Sequence, residues 1–314
     1  MKTISVYFTD TRKLLLKEVV IGDPKEDEIQ IKMLANGICM FEVHDYNNQT
    51  DDVNRIQGHE GIAVVTKVGK SVSHLQEGDA VAGYLPWTQY NNVPANQTVK
   101  LLGIPKDPSI HMVEPASCSV NAIDSTNIYP GTRAVVFGAG YMGLLLVQML
   151  TRTPLAELIV IDMKRDNLDL ALHYGADSVI DLSTAEGLKT MTSLEEDSFD
   201  FCFECTGAEK PLTTCTQLIR RGGTINIHSF HHVPRSLDVA AWHVKGVRVI
   251  NSSPGVGAGY YPFRAFEAAD ILMAKGKIDQ TQLITHRFTL NDIEEAMNVS
   301  TARADGFIKS VLLF

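Results

Sequence analysis

Cysteine is scarce in this chain and odd in number: Cys39, Cys118, Cys202, Cys205 and Cys215 are the five among 314 residues. A scattered, odd set does not read as a disulfide framework. The opening residues are interrupted by Asp10 and Arg12 and lack a charged-then-apolar signal segment, so a reducing cytoplasm is the expected compartment. Long apolar runs are missing too. The longest, residues 143–150, contains Gln148 and is far too short to cross a bilayer. Nor is there an excess of positive charge: the net charge is -9, and the acids are not gathered into one run. That balance argues against nucleic acid and anionic membranes as partners and leaves small molecules. No internal repeat and no low-complexity linker is visible.

What is present fits a folded protein of two domains, with 45% apolar and 21% charged residues over a length that exceeds one typical domain. From Glu28 to Met33 the residues alternate, with Ile29, Ile31 and Met33 on one side and Glu28, Gln30 and Lys32 on the other, as in a half-buried strand. Short strands are predicted at 62–68 and 80–83, so the first third reads as an irregular all-β unit. After Pro130-Gly131 apolar runs alternate with helical patterns: 133–137, 141–149, 158–161, 167–174, then 178–180, 200–204, 223–227 and 247–250. This is the pattern of an α/β, doubly wound parallel sheet. The last segment, 261–314, returns to mixed character and is expected to pack back on the first unit.

Residues 134–143 read as a strand running into Gly138-x-Gly140-x-x-Gly143 and then an apolar helix that includes Tyr141 and Met142. Gly138 permits a tight turn, Gly140 lets backbone approach a pyrophosphate, and Gly143 allows close helix-to-strand packing. The next predicted strand ends in Asp162, placed to accept hydrogen bonds from an adenosine ribose and to repel a 2'-phosphate, which favours NAD over NADP. A glycine turn with a helix-capping Asp is the plainer alternative. Lys164 and Arg165 either soften the preference or are solvated charges at a helix start.

Cys39, His44 and the pair His59-Glu60 offer thiolate, imidazole and carboxylate, the groups that Zn²⁺ accepts, and three protein ligands with an open position define a catalytic site. Singly, each has a structural alternative, a core cysteine or a turn histidine among them.

In order along the chain, Ala35-Asn36-Gly37-Ile38-Cys39, Gly58-His59-Glu60-Gly61, Val68-Gly69, Glu77-Gly78-Asp79-Ala80-Val81, Glu114-Pro115, the 138–143 loop and Ile284-Thr285-His286-Arg287-Phe288 resemble the medium-chain zinc alcohol dehydrogenase family, polyol branch. The resemblance runs through nearly the whole chain. It implies a GroES-like β-barrel catalytic domain from residues 1–118 and 252–314, a Rossmann domain from 119–251, and catalysis in the cleft between them. It also implies one catalytic zinc, NAD, a homodimer or homotetramer, and oxidation of a polyol, cyclitol or sugar-derived secondary alcohol. Carried across residue by residue, Cys39 and His59 are similar to the firm zinc ligands, with Glu60 as an exchanging or supporting ligand. Glu114 is the favoured third ligand and Cys118 the other. His44 resembles the proton-relay histidine and Lys309 the basic residue that reaches the pyrophosphate. Thr206, Ile227, His228 and Ser229 fall where the family meets the nicotinamide end of the cofactor.

The chain also departs from the family. Phe41 stands where a relay hydroxyl is usual and can neither give nor take a proton. No cysteine lies between Asp79 and Val113, so a second, structural zinc is not expected, and Asn167 replaces a basic residue near the ribose. His228, His231 and His232 read as a polar loop at the cofactor mouth, Cys202-x-x-Cys205 as a strand end rather than a redox pair. Trp87, Tyr90 and Trp242 fit a substrate cleft or a core equally. Two competing functions remain: a zinc-free quinone or enone reductase of the same fold, and an NAD-binding protein without turnover.

Overall fold

In the computed structural model, which describes residues 1–48, 55–252 and 263–314, the chain divides into two units, Met1–Ser117 with Tyr260–Phe314, and Cys118–Gly259. Residue 261, where the last segment was expected to begin, lies outside the described residues. The first unit opens with an antiparallel hairpin of β1 (Lys2–Asp10) and β2 (Lys13–Val20). β3 (Glu28–Gly37) follows, then α1 (Met40–Asn48), β4 (Gly61–Val68), β5 (Ala80–Gly83), β6 (Tyr90–Pro94) and β7 (Thr98–Lys100). α2 (Val113–Thr126) carries the border between the units.

The second unit alternates β8 (Arg133–Phe137), α3 (Tyr141–Leu150), β9 (Glu157–Asp162), α4 (Arg165–His173), β10 (Ser178–Asp181), α5 (Ala185–Ser193), β11 (Phe199–Glu204), α6 (Glu209–Leu218), β12 (Ile219–Ile227), α7 (Val239–Lys245) and β13 (Arg248–Asn251). The first unit resumes with α8 (Phe263–Ala274), β14 (His286–Thr289), α9 (Ile293–Ala302) and β15 (Ser310–Leu313).

Ile29, Ile31 and Met33 are fully buried and pack with Val65 and Val81, as the alternation of β3 predicts. The opposite face is not simply solvated, however. Gln30 is buried, and its amide donates to Gly22 O and Asn92 Oδ1 at 3.2 Å each, so a polar side chain is enclosed with its donors satisfied. The expectation of an all-β first third is corrected by α1. That helix buries only Glu42, Val43 and Tyr46, too thin an apolar stripe to show in the sequence. Trp87 is core, fully enclosed, with its indole N–H on Gly37 O at 3.1 Å.

β3 is central in a seven-stranded sheet ordered β14-β15-β3-β4-β5-β7, with β6 also paired to β3. In the second unit six strands run in the order β10-β9-β8-β11-β12-β13, every pairing parallel. The chain steps outward from β8 to β10, then returns beside β8 to lay down β11. The strand order therefore reverses between β8 and β11, the crevice where such sheets bind ligands at their C-terminal ends. Val135, Phe137, Ile159, Ile161, Cys202 and Ile225 fill the core there. Among the described residues no helix is long and apolar enough to cross a membrane.

Candidate active site

Strand register gathers the chemistry of the first unit. β15 pairs antiparallel with β3 so that Val311 faces Gly37, and β3 pairs with β4 so that Asn36 faces Gly61. Lys309, Cys39 and His59-Glu60 each lie just beyond those positions, and so converge at one end of the sheet. The buried Lys309 ammonium lies 2.8 Å from Glu60 Oε1 and 2.7 Å from Oε2. Its N–H serves Oε1, and Oε2 receives the charge without a directed hydrogen bond. Burial alone would lower the Lys309 pKa, but the Glu60 carboxylate and Cys39 outweigh it and raise the value. A Cβ on Gly37 would stand 1.7 Å from Glu60 Oε2, so only glycine leaves room for the carboxylate. Asn36 holds the Glu60 backbone, its Oδ1 accepting the N–H at 3.1 Å.

Glu42, on the first turn of α1, reaches back to accept the Cys39 N–H through Oε2 at 3.1 Å, a helix-start contact. Its Oε1 lies 2.5 Å from His59 Nδ1. A carboxylate bound at Nδ1 orients the ring and leaves Nε2 for a metal. Ligand atoms of Cys39, Glu42 and His59 lie within 4.8 Å of one another, as do those of His59, Glu60 and Glu114. Burial works against a charged His59, yet Glu42 and Cys39 raise its pKa well above the ordinary value. Burial pushes the Cys39 thiol up, partly offset by its hydrogen bond with His59 and by Lys309. Glu114, in the first turn of α2, is pushed up to about 7 by burial, a cost that a bound cation would recover. Sulfur, nitrogen and oxygen donors in a partly buried group, with one carboxylate oxygen lacking a directed bond, fit a zinc ion.

In the second unit the turn after β8 has the form a pyrophosphate needs. Gly138 has φ +100°, a Cβ on Gly143 would fall 1.9 Å from Gly138 O, and a Cβ on Gly140 would meet nothing within 4 Å. Gly140 caps α3 without a side-chain bond, and an anion bound at this turn would face the N-terminal N–H groups of the helix. Asp162, at the end of β9, accepts from Ala139 N at 2.5 Å, Met163 N at 2.6 Å and Lys164 N at 2.9 Å.

Two family models match these two regions: the alcohol dehydrogenase GroES-like domain over residues 25–104 and the zinc-binding dehydrogenase over residues 142–269. The chain belongs to the zinc-type medium-chain alcohol/polyol dehydrogenase family. It is similar to sorbitol dehydrogenase of Arabidopsis thaliana, 26% identical over 98% of this chain and 94% of the relative. Among solved structures, L-idonate 5-dehydrogenase of Escherichia coli matches with a TM-score of 0.86 at 20% identity, covering 100% of this chain and 99% of that one. A structure from Sinorhizobium meliloti, bound to NADP, matches at 0.85 and 21%, covering 100% of both chains. At these identities the structures speak to fold alone, and the fold is the GroES-like unit with a Rossmann sheet.

For a member of this dehydrogenase family, the structure brings together Cys39, His59, Glu60 and Glu114 in the two overlapping groups. His44 stands apart from both: on α1, its Nδ1 lies 3.3 Å from Asn48 Nδ2. Cys118, one helical turn beyond Glu114 in α2, belongs to the second unit. Lys309, expected at the pyrophosphate, is engaged with Glu60, because β15 delivers it to the metal-type group. The Phe41 ring lies edge-on to His59 at 6.1 Å and under the Arg55 guanidinium at 5.3 Å.

Tyr141 and Met142 open α3, Thr206 follows β11, Ile227 ends β12, and Ser229 donates to Glu204. Asn167 is buried in α4, and Arg165 pairs with Asp169. His228 bonds Ser252 Oγ at 2.7 Å and His231 lies 2.9 Å from Glu204, so each is tied to a separate internal partner. Two residues escaped the sequence reading. Glu42 carried one signal, an acid three positions after Cys39; Gly37 stood inside the motif that ends at Cys39, with nothing to mark the space it leaves for Glu60.

Proposed function

We propose that this chain is a zinc-dependent, NAD-linked dehydrogenase that interconverts a secondary alcohol of polyol, cyclitol or sugar-derived type with its ketone. The observation that carries the reading is the gathering of Cys39, His59, Glu60 and Glu114 at one sheet end, around a histidine already oriented by Glu42. Cys39, His59 and Glu114 would hold the zinc, with Glu60 supporting or exchanging. The first unit is then the catalytic domain and the second the NAD domain. When bound, the zinc supplies Lewis acidity at the substrate oxygen and the nicotinamide accepts the hydride.

The chain's own residues do the rest. Lys309 holds Glu60 beside the other ligands, and the glycine turn with the N-terminus of α3 receives the pyrophosphate. Asp162 faces the adenosine ribose. Asp162 opposes the charge of a 2'-phosphate and Arg165 already pairs with Asp169, which makes NAD the better fit. Phe41 packs against His59 and has no proton to pass, so the alcohol proton would leave through water to His44 or to Glu60.

Elemental analysis of the purified protein tests the assignment. About one zinc per chain is expected, falling to a small fraction in Cys39→Ala. About two per chain, or undiminished binding in that variant, would contradict it.

A further inference from the structure

Glu204 ends β11, and its side chain is fully buried. Five donors converge on it. Oε1 accepts the N–H groups of Thr206 at 2.6 Å and Gly207 at 3.0 Å, together with the Thr206 hydroxyl. Oε2 accepts from Ser229 Oγ and from His231 Nε2 at 2.9 Å. The first three donors belong to the turn after β11 and the last two to the loop after β12, so one carboxylate ties both. The two segments also pack directly: Gly207 has φ +72°, and a Cβ there would lie 3.1 Å from Phe230 O.

Arg235 closes the arrangement. Its Nε donates to His231 Nδ1 at 3.1 Å and its Nη2 to Gly207 O at 2.5 Å. A guanidinium only donates, so Nδ1 must accept and the ring carries its hydrogen on Nε2, facing Glu204. One tautomer of His231 therefore links Arg235 to Glu204, and the same arginine clasps the far turn.

These loops lie where a dinucleotide would end. Asp162 closes β9 and the glycine turn follows β8, so a dinucleotide laid across the reversal of strand order runs from β9 past β8 towards the ends of β11 and β12. The braced turn adjoins the phosphate turn, since a Cβ on Gly138 would stand 2.9 Å from Thr206 Cγ2. We infer that Glu204, with His231 and Arg235, is a positioning brace for the nicotinamide half of the cofactor. It acts through the backbone of residues 205–207 and 229–231 and touches no reacting atom. The inference rests on reading the second unit as the NAD site.

Fluorescence titration of the full-length protein with NADH, and competition by ADP-ribose, which lacks the nicotinamide, test it. Glu204→Gln replaces an acceptor oxygen by an amide that faces donors. NADH affinity should fall about tenfold or more while ADP-ribose affinity stays within about twofold, because a hydrogen-bonded charged group is lost only at the nicotinamide end. In turnover, KM for NAD should rise more than kcat falls. His231→Gln, which keeps an N–H donor and a carbonyl acceptor, should stay near wild type, and His231→Leu should follow Glu204→Gln. Unchanged NADH affinity in folded Glu204→Gln, or equal losses for NADH and ADP-ribose, would overturn the brace. If Glu204→Gln does not fold, His231→Leu decides by the same criterion. A wild-type chain that binds neither ligand would overturn the NAD reading itself.

Discussion

At the scale of single residues, the metal-type group depends on two residues outside the proposed ligand set of Cys39, His59, Glu60 and Glu114. Glu42 orients His59, and loss of such a supporting carboxylate typically costs tenfold to a hundredfold in metal affinity. Glu42→Ala should weaken zinc binding by about that factor in a competitive chelator titration while leaving Cys39 and His59 in place; unchanged affinity would remove the orienting role. Gly37 supplies space. Gly37→Ala forces the Glu60 carboxylate away from its place beside Lys309, and Glu60→Asp in the same chain, shorter by one methylene, should recover part of the loss. The raised pKa of His59 has a further consequence, because zinc must displace a proton that Glu42 helps to hold. Zinc affinity should therefore climb as pH rises beyond the ordinary histidine range, and a flat profile would speak against His59 as ligand. Cys39, His59, Glu60 and Glu114 could be nominated from the sequence because the motifs that hold them stand in the family's order, whereas singly each has a structural alternative. The Glu60–Lys309 pair was not, since it joins residues brought together only by the register of β15 on β3 and β3 on β4.

At the scale of elements, the parallel strands were the easiest to read, as β8, β9 and β11 are short apolar runs bounded by turns. Helices α1 and α5 were not. Their apolar stripes are thin: α1 buries Glu42, Val43 and Tyr46, and α5 buries Gly187 alone. The end of β12 is tied to the end of β13 by His228, whose ring bonds Ser252 Oγ and whose pKa burial pushes down to about 4. The folded value lies below that of a free histidine, so the unfolded chain takes up the proton first. Stability tied to this group is complete above about pH 6.5 and is lost as pH falls towards 4, by about 3 kcal/mol at most. Denaturant unfolding at neutral and acid pH should show that loss in the wild type and a shallower one in His228→Gln. Equal acid sensitivity in both would contradict it.

At the scale of the whole molecule, the chain is a member of a two-unit dehydrogenase family whose metal-type group and dinucleotide turn come from separate units. Cofactor choice follows from the second unit. NAD should bind better than NADP, and Asp162→Gly should narrow the gap by removing the charge that opposes the 2'-phosphate. The central claim is that zinc held in the first unit is required for NAD-linked oxidation of a secondary alcohol. It is tested most directly by following NADH formation from a panel of neutral polyols before chelator treatment, after it, and after zinc is returned. The account predicts a rate that disappears with the metal and returns with it. A rate that survives chelation unchanged would contradict it.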